Sequence, residues 1–262
     1  MPAQRVLLVN ADDLGLHPDI DRGILQCIEH GRVQSVSFSP QGKNIDWKKL
    51  LELQRAGVRV GLHVTLVGEP WLSDGRIFQG WKQLVKGLTF ASSSLRQAVA
   101  AEVNRQFDHC AANGLDPHTL SHVDSHQHVH VFHGIWQPCL EMARKYGILR
   151  MRVPWSPSLR LIKKNMGGIA LQVLSARRKS DAPGFISCLG LAHAGHNTAH
   201  IFRDELADSG HGDIELCVHP GINTPLLEAH YSDWHFDWTG ERDALLSQQF
   251  ADAVASNGFR FA

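Results

Sequence analysis

With 43% hydrophobic and 20% charged residues among 262, the chain has the composition of a globular protein with a full core, which excludes a disordered one. Its 26 basic residues equal its 26 acidic ones, so net charge gives no support for nucleic acid as a partner. The five cysteines, Cys27, Cys110, Cys139, Cys188 and Cys217, are odd in number and lack CxxC spacing, as expected of reduced thiols in a cytoplasmic protein rather than a disulfide framework.

The opening apolar run, residues 6–9, is too short for a signal peptide or a membrane span, and no later run is long enough to cross a bilayer. That run belongs to a strand predicted at 5–10, and "ADDLG" follows it with Asp12 and Asp13. A helix is predicted over 19–31, where Ile20, Ile24, Leu25 and Ile28 share one face and Gly31 ends the pattern. Strands follow at 35–40 and at 58–64, the latter carrying His63, and then a helix at 94–114. The strand predicted at 120–124 ends in "SHVDSHQHVHVFHG", with Asp124 and five histidines, His122, His126, His128, His130 and His133. After a helix at 134–147 come strands at 149–154, with Arg152, at 184–190, at 214–220, with His219, and at 258–262. Between them, 158–184 is long and basic and reads as an insertion or lid of a single domain, 1–262.

Eight strands separated by helices imply parallel strands with crossover helices. Near this length that predicts an α/β fold, a (β/α) barrel with room for distortion or an incomplete circuit; an open doubly wound sheet is the alternative. Function in such folds sits where strands end. Imidazoles and a carboxylate arriving there from different strands can form a facial metal site with open positions, the arrangement of a hydrolytic centre. Each element has a plainer reading too: an Asp pair after a strand caps a helix, and a lone histidine is usually just hydrogen bonded. The trio His193, His196 and His200 is expected on a surface helix rather than around a metal.

"LLVNADDLGL" (7–16), "GLHVTLVGEP" (61–70), "DSHQHVHVF" (124–132) and "VHPG" (218–221) resemble, in order, the motifs of the YdjC-type carbohydrate deacetylases. The resemblance implies a barrel-like fold and metal-dependent removal of an N-acetyl group from an amino sugar. Residue by residue, it implies Asp13, His63 and His126 as metal ligands and Asp12 as general base. The more distant NodB-type deacetylases place an arginine before a proline to orient the base, and Arg152 in "MRVPW" is similar. A branch of the family associated with hopanoid biosynthesis makes a lipid-linked amino sugar an alternative to a chito-oligosaccharide as substrate.

In that scheme His219 protonates the leaving amine, Asp124 orients a ligand ring or else caps the turn before the helix, and His128 is a reserve ligand or substrate contact. Two imidazoles favour one divalent ion with Zn2+ first, although Mg2+ or another ion also suits the family. Trp71, Trp81, Trp155, Trp234 and Trp238 are candidates for stacking on sugar rings, for packing, or for a homodimer contact. The basic segments 160–165 and 176–179 suit either a solvated helix face or peripheral contact with an anionic lipid. The rival functions are a metal-dependent phosphoesterase, which would need a second metal site, and a non-catalytic sugar-binding protein.

Overall fold

The computed structural model describes residues 4–43, 45–90, 93–162 and 165–262, so Lys163 and Lys164 of the basic stretch lie outside the described residues. In the first half of the chain, β1 (Arg5–Leu14), α1 (Pro18–Glu29), β2 (Ser35–Phe38), α2 (Trp47–Arg55), β3 (Arg59–Val64), α3 (Trp81–Phe90), α4 (Ser93–Ala112), β4 (Val123–Ser125) and α5 (His133–Lys145) follow one another. The second half contains α6 (Met166–Ala176), β5 (Ser187–Leu189), α7 (Ala199–Ala207), β6 (Ile214–Val218), α8 (Pro225–His230), α9 (Trp238–Leu246), α10 (Gln248–Ser256) and β7 (Phe259–Phe261).

Every strand pairing is parallel, in the order β4-β3-β2-β1-β6-β5, and the sheet curls into a distorted, incomplete (β/α) barrel. Leu7 of β1 pairs with Ile214 on one side and Phe261 on the other, so β7 lies below β2 on the same edge of β1. The strand expected at 149–154 is not one: it pairs with β4 only through a bridge between Met151 and Val123. It nevertheless spans the gap in the barrel, because Arg152 N–H donates to Val123 O (3.0 Å) and Cys188 N–H to Trp155 O (2.9 Å).

Alternation along the strands sorts the side chains into two faces. Leu7, Val9 and Ala11, Val36 and Phe38, Val60, Leu62 and Val64, and Ile214, Leu216 and Val218 join the continuous apolar core. Their neighbours Asn10, Asp12, Ser37, His63, Asp124, Glu215 and Cys217 are equally buried but turn to the other face, where they bond to one another. The barrel interior is therefore polar, and burying it is tolerable only because its groups have partners.

Candidate active site

β1 runs four residues beyond its expected end, so the Asp pair lies within the strand rather than after it. Its register with β2 shifts between Ala11 and Leu14, and Asp13 there takes φ = +72°, a left-handed conformation that Asp tolerates better than most residues. This irregularity interrupts strict alternation and lets adjacent aspartates serve different partners. Asp12 meets Arg152, while Asp13 meets two histidines.

Arg152 holds Asp12 with both arms of its fork: Nη1 donates to Oδ2 (2.6 Å) and Nη2 to Oδ1 (2.7 Å). The same guanidinium reaches Asp124 Oδ2 (2.9 Å) through Nη1 and Glu215 Oε1 (2.8 Å) through Nε. Asn10 donates a further bond to Asp12 Oδ1 (2.8 Å). Burial alone would raise the Asp12 pKa, but Arg152, His63 and His219 together hold it well below the ordinary carboxylate range.

Asp13 Oδ1 lies 2.9 Å from His126 Nδ1 and 3.3 Å from His63 Nε2. The other nitrogen of His63 donates to Asp124 Oδ1 (2.7 Å), which fixes the ring and leaves Nε2 facing Asp13. Burial works against a charged His63, yet Asp124, Asp13 and Asp12 outweigh it and push its pKa up to about 10. Asp124 also accepts from Ser37 Oγ (2.6 Å), and its own pKa is lowered, burial being outweighed by Arg152 and His63. One oxygen and two nitrogens from Asp13, His63 and His126 lie within 4.8 Å of one another, all buried, so a small divalent cation fits this donor set.

The histidine-rich stretch divides by location. His126 opens a short 3-10 turn, His126–Val131, in which Gln127 and His128 both have positive φ, so 124, 126 and 128 do not continue on one face of a strand. His126 stacks on Trp234, ring centroids 5.0 Å apart. His128 also lines the cavity, its Nδ1 has no partner, and burial pushes its pKa down to about 3. His122 hydrogen-bonds Ser37 Oγ (2.9 Å) inside the barrel, above Gly61, where a larger side chain would strike the ring. His130 bridges Ser125 Oγ (2.6 Å) and the Arg152 carbonyl (2.8 Å), tying the turn to the arginine's backbone.

Across the site, a nitrogen of His219, an oxygen of Asp12 and Cys217 Sγ lie within 4.8 Å of one another. Glu241 accepts the His219 backbone N–H (2.7 Å) and faces its Nδ1 at 3.9 Å, and burial raises the pKa of Glu241. Asp12, Asp13, His63, His126 and His219 form the floor of a cavity of about 1040 Å³ whose walls include Trp81, Phe132, Leu171, Leu191, Trp234 and Phe236. Trp238 is a correction: it is 2% exposed at the start of α9, packed against Gly221, and does not reach the cavity. Trp71 is likewise buried, with its indole N–H bonded to Leu66 O.

Glu215, Ser37, Asn10 and Glu241 were not anticipated from the sequence. The available signal was polarity inside otherwise apolar strands, most plainly the glutamate of "IELCV", since a buried charge needs a partner. His193 and His196 precede α7 rather than lying on it, and His193 Nδ1 sits 3.5 Å from Glu205. Among the described residues they belong to no group of ligands close enough to share an ion.

The chain is 28% identical over 269 residues to a chitooligosaccharide deacetylase of Klebsiella pneumoniae strain 342, covering 98% of this chain and 97% of the relative. Among solved structures it resembles an Enterococcus faecalis V583 protein provisionally described as a cellobiose-phosphate cleavage protein (TM-score 0.69, 18% identity, 99% and 97% of the two chains). A family 4 carbohydrate esterase from Streptomyces lividans, solved in complex with acetate, shares the fold at TM-score 0.52 and 11% identity, over 99% and 93% of the chains. The profile of the YdjC-like proteins matches residues 6–256, and the chain belongs to that family.

Proposed function

We propose that the protein is a metal-dependent hydrolase that removes the N-acetyl group of an acetylated amino sugar, releasing acetate and a free amine. The observation that carries this reading is the pairing of Asp13, His63 and His126 with an adjacent Asp12 that belongs to Arg152 instead. A divalent ion held by the first three residues, Zn2+ first, supplies Lewis-acid polarisation of the acetyl carbonyl and of the attacking water.

The chain's own residues do the rest. Asp12, ionised throughout the neutral range, accepts a proton from the attacking water, and the two-armed grip of Arg152 aims its oxygens while that happens. His219, on the other side of Asp12 with no hydrogen bond at its Nδ1, gives a proton to the departing sugar nitrogen. Asp124 holds His63 in one orientation, and His128 offers a neutral imidazole to the substrate. Trp234, stacked on His126 and lining the cavity, is placed to meet a sugar face. The cavity exceeds the space of a single sugar ring, which suits a chito-oligosaccharide or an amino sugar on a larger carrier.

The test is acetate release by metal-reconstituted protein from N-acetylglucosamine, chito-oligosaccharides and lipid-linked N-acetyl amino sugars, with Asp12→Asn alongside. The variant should retain the metal and lose turnover by about 10²-fold or more, the scale of general-base catalysis. Unchanged turnover in Asp12→Asn would remove the assigned base.

A further inference from the structure

Helix α6, Met166–Ala176, has no ionisable side chain and is mostly apolar, with Gln172 and Ser175 as its polar side chains. Its inner face closes the cavity with Leu171 and Gln172, while Ser175 is buried. Gln172 anchors it by donating to Ser156 O (2.7 Å) and accepting from Ser156 N–H (3.1 Å), close to the segment that carries Arg152. The outer face presents Ile169 and Val173, exposed by 57% and 50%, in one helical stripe with Met166, which is 89% exposed at the start of the helix and also borders the cavity. A water-facing stripe on an anchored helix is ordinarily polar, so these three side chains lack the partner that their chemistry calls for.

The charge around the stripe identifies that partner. Residues 158–180 contain six lysines and arginines and no acid; Lys163 and Lys164 lie outside the described residues, and Arg178 and Lys179 lie over Trp136 and Trp155, which leaves Arg160 and Arg177 beside the helix. Arg160, its side chain 84% exposed and 3.8 Å from Asp208 Oδ2, lies just before the helix, and Arg177, also exposed, directly follows its last turn. Apolar side chains on a helix face with cations at its ends suit the boundary between acyl chains and anionic head groups. A second protein copy would have to bring compensating acids to the same place.

We propose that the outer face of α6 docks the protein peripherally on an anionic bilayer surface. Because the inner face of the same helix walls the cavity, docking brings the cavity beside the lipid, where an amino sugar carried on an aliphatic anchor is presented. That consequence for substrate rests on the deacetylase reading, whereas the docking itself does not.

The test is co-sedimentation of the metal-reconstituted protein with vesicles of equal parts phosphatidylcholine and phosphatidylglycerol, and with pure phosphatidylcholine. Wild type should bind the mixed vesicles, more weakly at high salt and more weakly to pure phosphatidylcholine. Ile169→Glu combined with Val173→Glu should lower partitioning about tenfold or more, with circular dichroism unchanged. Neither residue lines the cavity, so acetate release from a soluble chito-oligosaccharide should be the same in both proteins. No binding by wild type, or equal binding by the variant, overturns the proposal. So does a wild-type dimer that the two glutamates dissociate without any vesicle binding, which would assign the face to a second copy. Absence of acetate release from both proteins would sink the deacetylase reading while leaving the docking result intact.

Discussion

Replacing Arg152 with lysine tests the centre of the barrel while keeping its charge. The guanidinium makes contacts of 2.6, 2.7, 2.8 and 2.9 Å with Asp12, Glu215 and Asp124 at once, and it is fully buried. A lysine ammonium is a point donor without the flat fork, and from one position it cannot reach both Asp12 oxygens and Glu215. At least two charge-assisted bonds are lost, each worth about 1.5–3 kcal/mol, so destabilisation should be about 3–5 kcal/mol. For a chain of this size that lowers the melting temperature by roughly 10 °C. Because Asp12 is released from its aim, turnover should fall about 10²-fold with bound metal unchanged, since Arg152 does not touch Asp13, His63 or His126. Urea melts, metal analysis and acetate-release kinetics measure the three quantities separately. A variant within about 1 kcal/mol of wild type in urea at unchanged slope would refute the idea that the fork holds this network together.

Two other substitutions probe different parts of the structure. Asp124→Asn should weaken metal affinity about 10- to 100-fold by loosening His63, read by competition with a fluorescent chelator; an unchanged affinity would mean that the 2.7 Å bond does not orient the ring. Asp21 accepts the Gly15 N–H (2.7 Å), and burial raises its pKa from 3.8 to about 7. Protonated Asp21 therefore adds stability that is full below about pH 4 and lost as pH rises through about 7. Asp21→Asn should thus gain on wild type on the order of 2 kcal/mol between pH 5 and pH 8 in urea melts, and parallel pH curves would contradict this.

The outward halves of the strands were the legible part of the fold, because Leu7, Val9, Leu62, Leu216 and Val218 advertise burial by type. The site residues at their upper ends, Asp12, Asp13, His63, Asp124, His126 and His219, stood out because ionisable groups directly follow or end apolar runs. The inward halves were hidden: Asn10, Ser37 and Glu215 look like routine strand polarity until curling brings them around one guanidinium. Residues 149–154 have strand composition, yet without a continuous ladder they make one bridge, a tertiary outcome that local propensity does not encode. The stretch 158–184 read as basic because its cations are conspicuous, whereas the exposed apolar stripe of α6 shows only once the helix is anchored by Gln172. Trp238 had the same composition signal as Trp234; a helix start turned one inward and left the other beside His126.

The way β1 is held has a consequence for the order in which the molecule can assemble. Synthesis delivers its upper neighbour β2 early, but β6 on its opposite edge comes roughly 200 residues later, as in the contact between Cys217 and Asp12, which are 205 positions apart, and β7 at its base roughly 250 later. Until those strands arrive, the strand bearing both aspartates has one bare edge and no base, and the charges of Asp12 lack the walls that justify their burial. Such long-range closure is slow, and it exposes unpaired parallel strand edges to neighbouring chains while it waits. A nascent chain halted before β6 would therefore carry every predicted metal ligand and Arg152, yet lack Glu215, the carboxylate that holds the guanidinium by its Nε.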